Sequence, residues 1–350
     1  MADNSIQVVE FREAEQLRAW QDFHLSTMPQ LISSMHLCQA VFAMLDTGLL
    51  DRLHNGQHRP EDGLLDDLDE RMGPGFLRYL VIRGVLEERP GGVFLTRLGE
   101  LLTSDVSLAR LGIYVGAYGP VTSRMSDLLA GRVTYGKDVD RNGGPLGEHC
   151  AKLFAIFHTP VVLAAMRGRG VSRILDVGCG GGQLLVDACL RDEDLTGVGL
   201  DISPEAVEVA RELARRAGVD SRVEFAVADG FAPETWPDSA FTADGLCSVS
   251  ALHEHFRDGE QAVVDILDTY ATVLPEQKIL LVGEPEMLYV DSENHDDFFL
   301  VHLLSGQGLP RDRSAWLSVF EKTRLQCRRI YSRPGAGPRI CFYDLAPRLP

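Results

Sequence analysis

Two hydrophobic patterns follow one another along the chain, and the change falls near residue 170. Before it, apolar residues recur mostly at helical spacing. Residues 10–30 read as a polar helix, and residues 31–53, LISSMHLCQAVFAMLDTGLLDRL, carry an apolar helical stripe with Gly48 near a stop. HNGQHRPEDG is a loop by composition, and LLDDLDERMGPGFLRYLVIRGVL predicts two short helices broken at Gly73-Pro74-Gly75. VLEERPGGVFLTR predicts a β-hairpin, with turn chemistry supplied by Pro90-Gly91-Gly92. Residues 107–133 and 146–168 return to helix, separated by Gly143-Gly144-Pro145. From Ser172 onward the β-rich runs RILDVG, TGVGLDI, VEFAVAD, ADGLCSVS and KILLVGEP alternate with helical stretches, which predicts a parallel sheet with helices on both faces. RLQCRRIYSRPGAGPRICFYDLAP closes the chain as two antiparallel strands around residues 334–338.

Length and composition narrow this picture. A chain of 350 residues suggests two domains, and the change in pattern puts them at 1–167 and 168–350. With 45% hydrophobic and 24% charged residues the composition is that of an ordinary soluble globular protein. The net charge of −17 would repel a polyanion, so nucleic acid is not expected as a partner. That bears on the N-terminal part, whose order of three helices and a hairpin is that of a winged helix. It holds more acidic than basic residues and no basic recognition helix, so packing against another chain or over an active site is the better expectation. There is no run of about 18 apolar residues, so no membrane span is expected. The start of the chain has neither a basic stretch nor an apolar core, so no secretory signal is expected. Seven cysteines lie scattered with no CxxC pair, which argues against a disulfide framework or structural zinc and fits a reducing cytoplasm.

Candidate chemistry sits at the ends of the β-rich runs. The first ends in Asp176-Val177-Gly178-Cys179-Gly180-Gly181-Gly182, whose glycines permit a tight turn and a close backbone approach to a ligand. The second ends in Asp201-Ile202, where a carboxylate can accept hydrogen bonds from both ribose hydroxyls. The third ends in Asp229-Gly230, level with an adenine amino group.

These three segments resemble the class I S-adenosylmethionine (SAM)-dependent methyltransferases over about residues 170–285. DVGCGGG is similar to the family's first motif, an acidic residue followed by Gly-x-Gly-x-Gly, and differs from the Gly-x-Gly-x-x-Gly of nicotinamide-binding domains. The resemblance implies a Rossmann-like seven-stranded α/β methyltransferase sheet behind a mostly helical, winged-helix-like domain that dimerises and closes over the acceptor. It implies that Asp176, Gly178 and Gly180 line the methionine part of SAM, that Asp201 binds the ribose, that Ile202 packs on the adenine, and that Asp229, with Gly230, meets the adenine amino group.

The fourth run leads into Ala251-Leu252-His253-Glu254-His255-Phe256-Arg257-Asp258, which resembles the Leu-His-Asp-Trp-x-Asp segment of small-molecule O-methyltransferases. There the His is the general base, and His253 falls on its place; imidazole titrates in the right range for that task. His255, two residues on, competes for the role. A narrower resemblance is to bacterial α-keto acid C-methyltransferases, carried by DDFFLVHLLSGQGLPRDRSAWLSVF, with His302 eight residues before Pro310. It implies a mononuclear iron held by His253 and His302. The iron would chelate a 2-oxo acid through its carboxylate and keto oxygens and make the adjacent C–H more acidic. It also implies that Arg132, in GRVTYGKD, meets the substrate carboxylate. Three functions therefore follow: C-methylation of a 2-oxo acid, O-methylation with His253 as base, or a catalytically silent SAM-binding dimer.

Overall fold

The elements follow the two sequence patterns. A computed structural model describes residues 9–274, 277–287, 298–309, 311–333 and 340–348. The chain divides into two compact units, 1–111 and 112–350.

The first unit contains α1 (Ala14–Leu25), α2 (Met28–Asp46), α3 (Leu49–His54), α4 (Met72–Ile82), the strands β1 (Leu86–Arg89) and β2 (Gly92–Leu95), α5 (Arg97–Leu102) and α6 (Asp105–Leu111). Gly48, with φ +69°, ends the long apolar stretch where expected and starts α3. The hairpin is antiparallel, with Arg89 opposite Gly92, so Pro90-Gly91 forms a two-residue turn. Gly73-Pro74-Gly75 departs from expectation: it lies inside the first turn of α4 rather than between two helices. Proline costs nothing there, because an N–H in the first turn has no carbonyl partner within the helix. Leu49, Leu50, Leu53, Leu64, Leu80 and Val85 form this unit's core.

The second unit adds α7 (Gly119–Ser123), α8 (Met125–Leu129), then α9 (Gly143–Leu153), a π-helical segment (Phe154–His158) and α10 (Thr159–Gly168), which run on as one helix. This 26-residue helix is long and apolar enough to cross a membrane. Here Val162, Leu163, Ala165 and Met166 are buried against the sheet. Residues 112–167 thus cluster with the sheet, whereas the change in hydrophobic period places the division near 168. The reason is that a helix's period says nothing about which neighbour its apolar face covers.

The strands are β3 (Arg173–Val177), β4 (Thr196–Asp201), β5 (Val223–Val227), β6 (Gly245–Val249), β7 (Ile279–Pro285), β8 (Leu325–Tyr331) and β9 (Ile340–Pro347). Between them lie α11 (Gln183–Arg191), α12 (Pro204–Ala217), α13 (Glu260–Val273), α14 (Phe298–Ser305) and α15 (Arg313–Glu321). The sheet order is β5-β4-β3-β6-β7-β9-β8; the first five strands are parallel, and β9 is antiparallel to both neighbours. The seven-stranded α/β expectation holds. The expected turn at 334–338 lies outside the described residues.

Alternation along the strands separates two cores. Leu175 and Val177 face α13 and α15, with Trp316, Phe320 and Tyr270 buried there. Ile174 faces the side covered by α10, α11 and α12. The chain reverses its direction of winding between β3 and β6, so a crevice opens at their carboxyl ends.

Candidate active site

The glycine loop after β3 is tied to β4 by its backbone. Gly178 N–H and Cys179 N–H both donate to the Leu200 carbonyl, at 2.9 and 3.0 Å. Gly178 and Gly180 have φ of +76° and +52°, which side chains rarely adopt. Gly182 caps α11, and a Cβ there would lie 2.6 Å from Phe225. Asp201, ending β4, accepts from Gly180 N–H at 2.8 Å and from Ser203 N–H at 2.9 Å, so it braces the loop as it faces the crevice.

Asp176 is buried beneath the loop and takes one side-chain hydrogen bond, from the Cys247 thiol at 3.4 Å. Burial pushes its pKa up to about 7; the Cys247 hydrogen bond opposes the rise and the Asp201 charge adds to it. A cavity of about 140 Å³ opens over Asp176, Gly178 and Gly180 and is closed by Cys150 and Phe154 from the long helix. Ile202 is 73% exposed beside Asp201, a free apolar face for a flat ring. Asp229 accepts from Phe231 N–H at 2.9 Å. Gly230 is needed for packing: a Cβ there would overlap the Val177 side chain, and its carbonyl accepts from Tyr270 Oη at 2.9 Å.

Beyond the cofactor crevice, Ser250 adopts φ +57° after β6 and turns the chain into a 3₁₀ segment, Leu252–Asp258. Glu284, fully buried near the end of β7, holds that segment. Its Oε1 accepts from Ala251 N–H at 3.1 Å and Leu252 N–H at 2.8 Å, and its Oε2 accepts from His253 Nδ1 at 2.7 Å. Three donors on one carboxylate compensate its burial. From α14, His302 Nδ1 donates to the Phe298 carbonyl at 2.7 Å. Both imidazoles are buried, and their Nε2 atoms stand 3.0 Å apart.

These partners fix the tautomers. A carboxylate and a carbonyl can only accept, so both Nδ1 atoms carry protons. With both rings neutral, two Nε2 lone pairs then face each other at hydrogen-bond distance. Such an arrangement is favourable only with a cation between them, either a proton or a metal ion. The donor set therefore fits the metal implied by the narrower resemblance. It supplies two nitrogens from the protein, each oriented by a hydrogen bond on the far side of its ring. Among the described residues no group of three or more His, Cys, Asp or Glu side chains could hold a metal ion.

His255 is placed elsewhere. Its ring packs edge-on against Phe231 at 4.1 Å, and burial lowers its pKa. Of the two competing histidines, His253 is the one facing His302. Arg132 is not brought to this site. Its side chain is 61% exposed and is held by Asp127 Oδ1 at 2.7 Å and the Ser126 carbonyl at 3.3 Å. Arg141 lies there instead, donating to Tyr118 Oη at 2.9 Å and standing 3.9 Å from Glu254 Oε1, next in sequence to His253. The sequence reading also missed Glu284, although a glutamate ending the apolar run KILLVG is itself a signal, since such a residue is seldom buried without a task.

A glycine loop, Asp201 and Asp229 stand at three successive strand ends of this sheet, and the comparisons with known proteins support a SAM-dependent methyltransferase. Residues 170–309 match the family described as methyltransferase domain. The chain is 28% identical over 321 residues to the indolepyruvate C-methyltransferase of Streptomyces griseus, covering 88% of this chain and 91% of that protein. It is 25% identical to the 2-ketoarginine methyltransferase of Streptomyces arginensis, covering 89% and 90%. Among solved structures, the mitomycin 7-O-methyltransferase MmcR shares the fold with a TM-score of 0.71 at 21% identity, over 95% of this chain and 100% of that one. The neocarzinostatin O-methyltransferase NcsB1, solved with SAM and a naphthoic acid, gives 0.59 at 18% identity, over 89% and 96%.

Proposed function

We propose that this methyltransferase moves the methyl of SAM to the carbon next to the keto group of a 2-oxo acid, in natural-product biosynthesis, with a metal ion held by His253 and His302. The observation that carries the reading is the pair of Nε2 atoms 3.0 Å apart, each with its Nδ1 proton already committed. Two relatives that span most of the chain are named for indolepyruvate and 2-ketoarginine, both 2-oxo acids. When bound, the metal supplies Lewis acidity to the acceptor's oxygens, which makes the neighbouring C–H easier to ionise.

The chain's own residues do the rest. Asp201 and Asp229 fix the nucleoside, and the glycine loop sets the methionine end of SAM toward the histidines. Glu284 holds the ring of His253, and the Phe298 carbonyl holds that of His302. Arg141, in place of Arg132, offers a planar guanidinium to the acceptor carboxylate. In the transfer the acceptor carbon loses a proton to solvent and bonds the methyl. The S–CH3 bond breaks with its electron pair left on sulfur, giving S-adenosylhomocysteine.

The test is metal analysis of the purified protein, together with mass spectrometry of products from a panel of 2-oxo acids and phenols with labelled SAM. Bound iron and a C-methylated 2-oxo acid are expected. His253→Ala and His302→Ala should each be metal-poor and inactive, and the double variant no worse, because the two act as one unit. Full activity under a strong chelator, with no metal in the protein, would overturn the reading.

The Glu284–His253 contact at 2.7 Å favours a second reading, O-methylation with His253 as general base. His253→Ala would then cost roughly 10²–10⁴ in rate, chelators would do nothing, and His302→Ala would change only packing or substrate fit. For the first unit we infer a role in homodimerisation, supported by the exposed apolar side chains of α1 and α2. Seven scattered cysteines with no CxxC pair support a reducing cytoplasm as its location.

A further inference from the structure

The seven residues from His302 to Gly308 do more than end a helix. After Ser305 the chain turns at Gly306, with φ +62°, and doubles back along the segment that carries His253. Gly308 lies so close that a Cβ there would overlap the His253 carbonyl oxygen. Between the two glycines, Gln307 is buried, and each end of its amide has a partner. Its Nε2 donates to Glu254 Oε1 at 2.7 Å. Its Oε1 accepts from Ser305 Oγ at 2.8 Å and from Tyr118 Oη at 3.4 Å. Two hydroxyl donors on one side and a carboxylate on the other leave only one orientation for the amide.

Glu254 Oε1 has a second neighbour, Arg141 Nη1, at 3.9 Å. That is too long for a hydrogen bond and short enough for strong attraction. Arg141 also donates to Tyr118 Oη, the hydroxyl that in turn meets Gln307. The amide therefore holds the Glu254 carboxylate directly and meets Tyr118, the hydroxyl that accepts from the guanidinium. A carboxylate released from the amide would be drawn onto Arg141 as a short ion pair. It would then compete with any carboxylate arriving from solution.

We propose that Gln307 is a positioning residue that restrains Glu254, so that the Arg141 guanidinium stays available to the acceptor carboxylate. This rests on the reading of the acceptor as a 2-oxo acid that meets Arg141. A purely structural glutamine would matter through its packing alone. A restraining one matters only while residue 254 is a carboxylate, and this difference can be measured.

The probe is phenylpyruvate, titrated calorimetrically into the metal-loaded enzyme with S-adenosylhomocysteine present. SAM affinity, read separately, serves as the check on folding. Gln307→Met should keep SAM affinity and weaken phenylpyruvate roughly ten- to a hundredfold, the size of one hydrogen bond to a charged group. In turnover the loss should fall on KM more than on kcat. Adding Glu254→Gln to Gln307→Met should restore phenylpyruvate affinity to within about threefold of Glu254→Gln alone, because the competitor is gone. If the methionine variant does not fold, Gln307→Asn, whose amide is one methylene too short to reach Glu254, is read in its place. Unchanged affinity in the single variant, or a double variant as weak as the single one, would overturn the proposal while leaving the 2-oxo acid reading intact. A wild-type enzyme that binds no 2-oxo acid, or an Arg141→Met variant that binds phenylpyruvate normally, would overturn both.

Discussion

Asp176 is the residue whose chemistry most depends on the cofactor being present. Its carboxyl is buried beneath the loop, with a thiol as its hydrogen-bond donor and a pKa of about 7. In the unfolded chain it ionises near the ordinary aspartate value. Between about pH 4 and 7 the folded, ligand-free protein thus holds a proton that the unfolded chain has lost. Its contribution to stability is full below that window and is lost as pH rises through 7. With SAM placed over Asp176 as proposed, its cationic ammonium and sulfonium groups would reverse the preference and favour the ionised carboxylate. SAM binding should therefore release a proton near pH 6. Affinity should weaken as pH falls below 7, by at most about tenfold per pH unit for one coupled proton. Calorimetry in buffers of different ionisation enthalpy measures the released proton directly. Asp176→Asn should abolish the linkage, and an unchanged pH profile in that variant would rule the assignment out.

At the level of elements, the segments proposed to hold the cofactor were legible because each sits within a few consecutive residues at a strand end. DVGCGGG, Asp201-Ile202 and Asp229-Gly230 need only the sheet to bring them together. The acceptor half was not. Glu284 lies near the end of β7, Arg141 precedes α9, Tyr118 precedes α7 and Gln307 follows α14, and no local pattern joins them. Arg132 and Arg141 lie nine positions apart in one polar stretch. Only tertiary structure decides that the first pairs with Asp127 at the surface and the second with Tyr118 beside Glu254. His253 and His302 were found because each recurs in a family motif, whereas their relation, two lone pairs opposed at 3.0 Å, came only from the structure. The same reasoning gives Gly308 a role. Its backbone packs on the His253 carbonyl, so Gly308→Ala must push the two histidine-bearing segments apart. Overpacking of this kind costs about 1–3 kcal/mol. A lowered melting temperature and loss of metal are expected, with SAM affinity kept, since the glycine loop is untouched. Normal metal content in this variant would show that the spacing of the histidines does not depend on that contact.

For the whole molecule, the open question is what the first unit's apolar surface meets. Helix α1 has no buried residue, although it carries Leu17, Trp20 and Leu25. Leu31, Ile32 and Met35 of α2 are exposed as well. Several large apolar chains on consecutive helices form the kind of surface that soluble proteins keep for an interface. Nucleic acid is a poor candidate, because the net charge of −17 opposes it. A membrane surface fits no better, since such helices usually carry Lys and Arg opposite the apolar face, whereas α1 places a glutamate in its first turn and Asp22 in its last. A second copy of the chain satisfies both conditions, because like faces bury one another and leave the acidic surface in water. Light scattering at micromolar concentration should give twice 38.6 kDa. Trp20→Glu combined with Leu31→Glu should shift it to the single-chain mass, by placing unpaired charges in the interface. SAM affinity should not change, because every residue assigned to the cofactor lies in the second unit. A wild-type chain that runs at 38.6 kDa under these conditions would sink the dimer and leave that surface for a different partner.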